Sequence, residues 1–534
     1  GGLVRYHHMD GYFLFPMSVL IMEFLASVFF VVGGRFIIKL LYLESIKDSG
    51  VQESVIIYGA GVSGLITKRT LEKDTRNNQI AAAFIDDNEK LQGTRIEGIR
   101  VYSTRQLSKL QKELQAKTLI VAIQVPDVSK MQKVIDEAMS LKLTIQKVPN
   151  PKSWINGVFS SRQLKKIRIE DLLGREIIDL KNNQLSTEIS TSTILISGAA
   201  GSIGSEIVQQ VLAFEPAKII LVDQAETPLY ELSLLVKTSL KNTTYIPFVA
   251  DIKDAFIMEQ ILSNHQPDVI YHAAAYKHVP IMETNAYQAV LTNVLGTKIL
   301  ADLAIKYQVA SFVMVSTDKA VNPSNVMGAS KRIAELYVQS LFRQSQSKTS
   351  RATKFITTRF GNVLGSNGSV VPLFTKQIQE GGPITITHPD IIRYFMTIPE
   401  ACQLVLEAGS MGNGGEIYIF DMGQPVRIID LAHKMIRLAG FVPEEDIKIE
   451  VVGLRPGEKL FEELLNDASK TLPTHHDKIM IAQEHNVADF DSFILQLENL
   501  IQYAKKMQSD AVVAEMKKIV PEFKSKNSVY ENLD

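Results

Sequence analysis

Ser316-Thr317-Asp318-Lys319 places two hydroxyls, a carboxylate and an ammonium in four consecutive residues. An Asp and a Lys this close can divide acid–base work only where their surroundings push the two pKa values apart. The four residues end a β-type run, Phe312-Val313-Met314-Val315, and a loop with Asn322, Pro323 and Asn325 follows. From about Met327 the pattern is helical, with Met327 and Lys331 four apart on one face. Strand, polar turn and helix in that order make the unit of an open α/β sheet, whose ligands sit beyond the carboxyl ends of the strands. Ser316 to Lys319 fall there.

The elements that must position this turn stand on either side of it. Thr193 to Gly204, TILISGAAGSIG, is a strand running into Gly198-x-x-Gly201-x-x-Gly204. Backbone N–H groups of such a loop cradle dinucleotide phosphates, with Ser202 and Ile203 at the helix start. The next strand, Lys218 to Val222, ends in Asp223, where a carboxylate accepts from both ribose hydroxyls and favours NAD over NADP. A plain turn residue is the alternative. After the run Val269–His272, Ala273, Ala274 and Ala275 are small enough for the backbone to pass close to a cofactor.

The glycine spacing, the Ser-Thr and Lys331 resemble the extended short-chain dehydrogenase/reductase family, whose site uses Ser/Thr on the strand and Tyr-x-x-x-Lys on the helix. Met327 stands where that family has its tyrosine. Asp318-Lys319 is similar to the nucleotide-sugar 4,6-dehydratase branch. The Met-for-Tyr departure resembles its large, membrane-associated UDP-N-acetylglucosamine 4,6-dehydratases of bacterial polysaccharide and glycan synthesis. The resemblance covers about Val51 to Asn466 and is most specific in Thr193–Lys331.

What the resemblance implies is a NAD held tightly and recycled, with hydride taken from C4 and returned to C6 after water leaves C5–C6. Lys319 would abstract the C5 proton, Asp318 would protonate the leaving C6 hydroxyl, Thr317 would orient the C4 hydroxyl, and Lys331 would bind the nicotinamide ribose. Asp251 and Ile252 resemble the adenine contact. Lys277, His278, Glu283, Asn293, Arg359, Asn362, Arg393 and Arg455 resemble the residues around the UDP-sugar, and arginine suits bidentate phosphate contact. His278 could be a catalytic base or make a substrate or structural hydrogen bond, and each arginine could singly be a surface group. A thioether exchanges no proton, so with Met327 either Asp318 takes the C4 proton or the chain is inactive. A nucleotide-sugar 4-epimerase or reductase is the alternative enzyme; a dinucleotide-binding membrane scaffold is the non-enzymatic one.

Across 534 residues, 57 Lys and Arg against 58 Asp and Glu give a net charge of -1, which offers no electrostatic case for nucleic acid. The single Cys402 excludes an internal disulfide and reads as a small buried residue, and no metal site is expected. Gly11 to Gly34 is apolar with Glu23 as its only charge, long enough for a span that needs roughly 20 residues. Arg35 and Lys39 behind it point to a cytoplasmic downstream side, and the resemblance implies a bacterial inner membrane with the catalytic domains in the cytoplasm. A buried amphipathic helix is the alternative. Gly1 to Asp10 lacks an initiator Met and reads as a fragment start, and the resemblance, whose large members carry several N-terminal spans, implies further spans upstream.

The expected order is a membrane segment at 1–50, a Rossmann-like domain at 51–148, a linker at 149–192 with the only tryptophan, Trp154, a catalytic domain at 193–475 and a helical region at 476–534. The first Rossmann-like domain rests on Gly59-x-Gly61-x-x-Gly64 and Asp86-Asp87, a nucleotide site or a structural or regulatory domain. Phe490–Lys506 and Ala511–Ile519 read as amphipathic helices, and Glu522–Asp534 as a fraying end. The fold class is therefore α/β, two doubly wound parallel sheets behind a transmembrane helix, with a homo-oligomer, dimer or higher, expected.

Overall fold

The computed structural model describes residues 3–8, 11–47, 53–74, 78–124, 127–149, 159–172, 183–239, 243–346, 352–462, 471–483 and 489–534. Trp154 lies outside them, as does much of the expected linker. The chain forms two compact units, Gly1–Arg168 and Ile169–Asp534.

The first unit opens on an antiparallel pair, Leu3–His8 with Gly11–Pro16, and a helix, Met17–Lys47. The apolar run was expected to be helical from Gly11, but the helix starts only after Pro16. Tyr12, Phe13 and Phe15 favour extended backbone, and a residue without an N–H fits the boundary before a helix. Met17–Lys39 spans 23 residues, apolar enough to cross a membrane and with its side chains unburied. At ~1.5 Å per residue that length matches the ~30 Å of a bilayer's hydrocarbon core.

Behind it lies a sheet in the order Arg95–Ile96, Ile99–Ser103, Gln79–Asp86, Glu53–Tyr58, Thr118–Val121, Thr144–Lys147 and Lys165–Lys166. The five central strands are parallel. Their cores, Val55–Tyr58 and Leu119–Val121 among them, are continuously buried, as strands covered on both faces must be.

The second unit is built on a nine-stranded sheet. Its order is Thr244–Val249, Lys218–Asp223, Thr193–Ser197, Val269–His272, Ser311–Thr317, Lys354–Phe360, Ile417–Phe420, Ile479–Ala482 and Thr471–Pro473. The first seven are parallel and the last two antiparallel. The winding reverses between Thr193–Ser197 and Val269–His272, which opens a crevice at their carboxyl ends.

Helix Val326–Gln346 crosses this sheet and is buried from Val326 through Phe342. Its far side is covered by the helices Phe490–Lys505 and Ser509–Ile519, whose Phe493, Leu497, Leu500, Val513 and Met516 share one core with Val326, Ile333 and Leu341. The segment after them does not fray as expected. Phe523 and Tyr530 are buried, Lys524 N–H donates to Pro323 O, and Lys526 N–H donates to Ser324 O. Backbone donors that find acceptors on the loop before Val326 hold this stretch in place.

Strand and helix are locked by one carboxylate. Glu335 accepts from Ser316 Oγ at 2.6 Å, from Arg359 Nε at 2.8 Å and from Arg332 Nη1 at 3.3 Å. Glu335 and Arg359 are both fully buried. Removing one partner strands the other charge, so Glu335→Ala is expected to cost about 3–5 kcal/mol in chemical denaturation. Adding Arg359→Ala to it should cost little more; additive losses would show that the pair is not coupled.

Candidate active site

The polar turn closes on itself at the end of Ser311–Thr317. Thr317 Oγ1 donates to Asp318 Oδ1 at 2.8 Å and accepts from the Lys319 N–H at 3.4 Å, which caps a single 3-10 turn, Asp318–Ala320. Lys319 Nζ donates to Asp318 Oδ1 at 3.0 Å and to Asn362 Oδ1 at 3.4 Å, and Glu462 Oε1 lies 3.4 Å away. Three acceptors match the three protons of an ammonium. Burial draws the Lys319 pKa down, but the charges of Asp318 and Glu462 outweigh it against an opposing Arg393, and the net direction is upward. In this state Lys319 holds its proton.

Lys319 is where two cavities meet. The larger, about 790 Å³, is lined by Thr317, Lys319, Met327, Lys331, Lys277 and His278 among others. The smaller, about 230 Å³, is lined by Lys319, Thr387, Arg393, Arg455 and Glu462, and Asn362 belongs to both. Asp318 itself is only 3% exposed. The Thr317 hydroxyl touches it, and Thr317, unlike Asp318, is among the residues that line the larger cavity.

The glycine loop forms the far wall. Gly198 has φ +67°, and a Cβ there would meet Ala274 N at 2.6 Å, while one on Gly204 would meet Gly198 O at 2.0 Å. Those two glycines are required by the chain's own turn. At Gly201 only Gly198 O, at 3.2 Å, would be met, so its bare backbone chiefly opens the cavity floor. Asp223 accepts from Ala200 N–H and Ala225 N–H, both at 2.9 Å, and lines a third cavity of about 150 Å³ with Asp251, Ile252 and Ala273 to Ala275. Ser202 and Ile203 open the helix Ser202–Leu212 against the larger cavity. This cradle, with an acid at the second strand's end, fits a dinucleotide.

His272, unremarked in the sequence, ties the sheet together beneath it. It lies between Ser197 Oγ at 2.7 Å and Thr297 Oγ1 at 2.9 Å, and burial with the nearby Lys331 charge draws its pKa down to about 3. A neutral ring therefore holds at working pH.

Three expected substrate contacts are framework instead. Arg359 is committed to Glu335 inside the core and lines none of these three cavities. Glu283 is buried, accepting from Val326 N–H at 2.7 Å and from Ser528 Oγ. Asn293 is fully buried on a π-helical segment, Val290–Gly296; it accepts from Tyr276 N–H and donates to Tyr276 O and Ser330 Oγ. That wide turn re-aims one side chain so that it sets the Ala275–Lys277 backbone. Sequence type alone does not separate a polar group that faces a ligand from one that faces its own fold.

Arg393 lines the smaller cavity, but its Nη donors go to Ile392 O, Leu460 O, Lys459 O and Glu458. Arg455 is exposed at the same cavity. Lys277 Nζ donates to Ser366 Oγ at 3.4 Å, and burial draws its pKa down. His278 packs on Gly368, where a Cβ would meet the ring at 2.5 Å. Glu462, absent from the sequence reading, joins Lys319 to Arg393; no local motif marked it.

Lys331 is 4% exposed, and burial draws its pKa from 10.5 to about 8 against an opposing Glu335. A folded-state value below the unfolded one means that the buried ammonium costs stability at neutral pH, a cost relieved as pH rises above 8. Lys331→Met is therefore expected to stabilise the cofactor-free chain at pH 7 by about 3 kcal/mol, a gain that shrinks as pH is raised toward 10. Denaturation curves at the two pH values check this.

A family model described as polysaccharide biosynthesis protein matches residues 194–484. The capsular polysaccharide biosynthesis protein CapD of Staphylococcus aureus is 44% identical over 439 residues, 82% of this chain and 72% of the relative. The probable polysaccharide biosynthesis protein EpsC of Bacillus subtilis is 40% identical over 438 residues, with the same 82% and 72% covered. Among solved structures, Pen from Bacillus thuringiensis is similar at 34% identity and TM-score 0.50, covering 55% of this chain and 90% of its own. The match takes in more than half of the chain, which belongs to the family of polysaccharide biosynthesis proteins.

Proposed function

We propose that this chain is a NAD-dependent 4,6-dehydratase of UDP-N-acetylglucosamine that makes the UDP-2-acetamido-2,6-dideoxy-hexos-4-ulose for bacterial polysaccharide or protein-glycan synthesis. The observation that carries the reading is the Thr317-Asp318-Lys319 turn, whose lysine forms part of the wall shared by two cavities. The larger cavity has the cofactor loop and Lys331 in its lining; the smaller has Arg455. A 4-epimerase needs C4 redox but no elimination, and it leaves Asp318–Lys319 without a task.

Gly198, Gly201, Ser202 and Gly204 would hold the pyrophosphate of NAD, Asp223 the adenosine ribose and Lys331 the nicotinamide ribose. When bound, NAD supplies the hydride acceptor for C4 and the donor for C6, with no net redox.

The chain's own residues move the protons. The C4 hydroxyl proton passes to Thr317 as Thr317 gives its own to Asp318, 2.8 Å away, which replaces the tyrosine that Met327 cannot. The amine of Lys319 takes the C5 proton, and Asp318 returns its proton to Thr317 as Thr317 gives its own to the C6 hydroxyl, which leaves as water. Lys319 then returns its proton to C5. Lys319 must first shed the proton that Asp318 and Glu462 help it keep, so turnover is expected to rise with pH. Met17–Lys39 would anchor the chain in a membrane, with Arg35 and Lys39 toward the cytoplasm.

The test is mass spectrometry of UDP-N-acetylglucosamine after incubation with the full chain. Loss of one water without added reductant is the expected result, with solvent deuterium entering at C5. An unchanged mass with NAD bound and the protein folded would overturn the reading in favour of an epimerase or a binding module. Lys319→Ala should lose about 10³-fold in turnover, the scale of a general base. Thr317→Val should lose about 10²-fold, and Thr317→Ser, which keeps the hydroxyl, should stay near wild type.

A further inference from the structure

Lys319 has an acceptor that its own turn does not supply. Glu462 places Oε1 3.4 Å from Lys319 Nζ and 3.5 Å from Arg393 Nε, with a side chain only 6% exposed. Arg393 is itself clamped, its Nη1 donating to Ile392 O at 2.8 Å and Leu460 O at 3.1 Å, and its Nη2 to Lys459 O at 2.8 Å and Glu458 Oε1 at 3.2 Å. An anchored guanidinium thus fixes a carboxylate, and the carboxylate meets the lysine where the two cavities share a wall.

We propose that Glu462 is the positioning residue for Lys319, holding the lysine's nitrogen toward the sugar so that it can act at C5. The proposal rests on the dehydratase reading. Asp318 alone could not do this, because it adjoins Lys319 in the chain and also takes the Thr317 hydroxyl. A lysine carries its charge on a flexible stem, and a second carboxylate from another loop fixes the direction in which that stem points. The charged groups facing Lys319 are Asp318 from its own turn, and Glu462 and Arg393, the latter on the short strand Ile392–Arg393, from the wall of the smaller cavity, with neutral Asn362 beside them. Taking away the Glu462 charge leaves Arg393 to repel Lys319 and only Asp318 to hold its proton. The amine then becomes available at lower pH but is poorly aimed.

Glu462→Gln in the full chain tests this. Expected is a fall of about 10–100-fold in kcat with KM within about threefold of wild type. The rising limb of kcat against pH should move to lower pH. Reduced nicotinamide should accumulate during turnover, since C4 oxidation proceeds while elimination at C5 lags, and Glu462→Asp should recover part of the rate. A kcat and limb like wild type would overturn the proposal. So would a loss confined to KM, or an unmoved limb with no reduced cofactor building up, which is what a merely structural role predicts. Should Glu462→Gln fail to fold, Glu462→Asp, which keeps the charge and hence the limb, decides: lower kcat at unchanged KM with reduced nicotinamide building up supports positioning, and an unchanged kcat, or a lower kcat with no reduced nicotinamide, sinks it. A wild-type chain that releases no water from the sugar fails the dehydratase reading, a separate outcome.

Discussion

A buried carboxylate must be answered by its surroundings, and Glu335 is where this rule sets the geometry of the site. Ser316 comes to it from the strand that ends in the polar turn, Arg332 from its own helix, and Arg359 from the next strand of the sheet. Each partner lowers the cost of keeping the charge, and together they allow only one placement of helix Val326–Gln346 against the sheet. Met327 and Lys331 lie earlier on that helix and Thr317 and Lys319 just beyond Ser316. Their separation across the cavity is inherited from the core, and flexible loops need not hold it.

The same principle divides the polar residues of the site into two populations. Arg359, Glu283, Asn293 and His272 have the chemistry of ligand-binding groups, yet their atoms are spent on the fold. Lys319, Lys277, His278 and Arg455 reach the cavities. What separates the populations is the neighbour each meets in three dimensions, and that neighbour is distant in sequence: Arg359 meets Glu335, and Glu283 meets Ser528.

For that reason the local features were legible and the long-range ones were not. The glycine loop at 198–204 depends on backbone clashes within a few residues, so its spacing is written in the chain. The strand–turn–helix at 311–346 and the two helices after 489 follow from short periodicities, and the structure places the latter within two residues of their expected limits. Glu462 could not be found, since its role depends on Arg393 being clamped by a loop that folds over it. The strand Gly11–Pro16 was misread as the start of the span because an apolar aromatic run satisfies the hydropathy of a span and the propensity of a strand equally well.

The strap of residues 523–528 across the loop at 323–324 gives the molecule an order of assembly. Every group assigned to the cofactor and to proton transfer has been synthesised by residue 462, yet Pro323 O, Ser324 O and Gly457 N–H acquire their partners only from Lys524, Lys526 and Asn527. A nascent chain that has emerged only as far as residue 519 carries all the chemistry but lacks the clasp on the loop leading into helix Val326–Gln346. The last-made stretch of the chain therefore closes bonds on two earlier loops, and a chain clipped before residue 524 would present its parts without them.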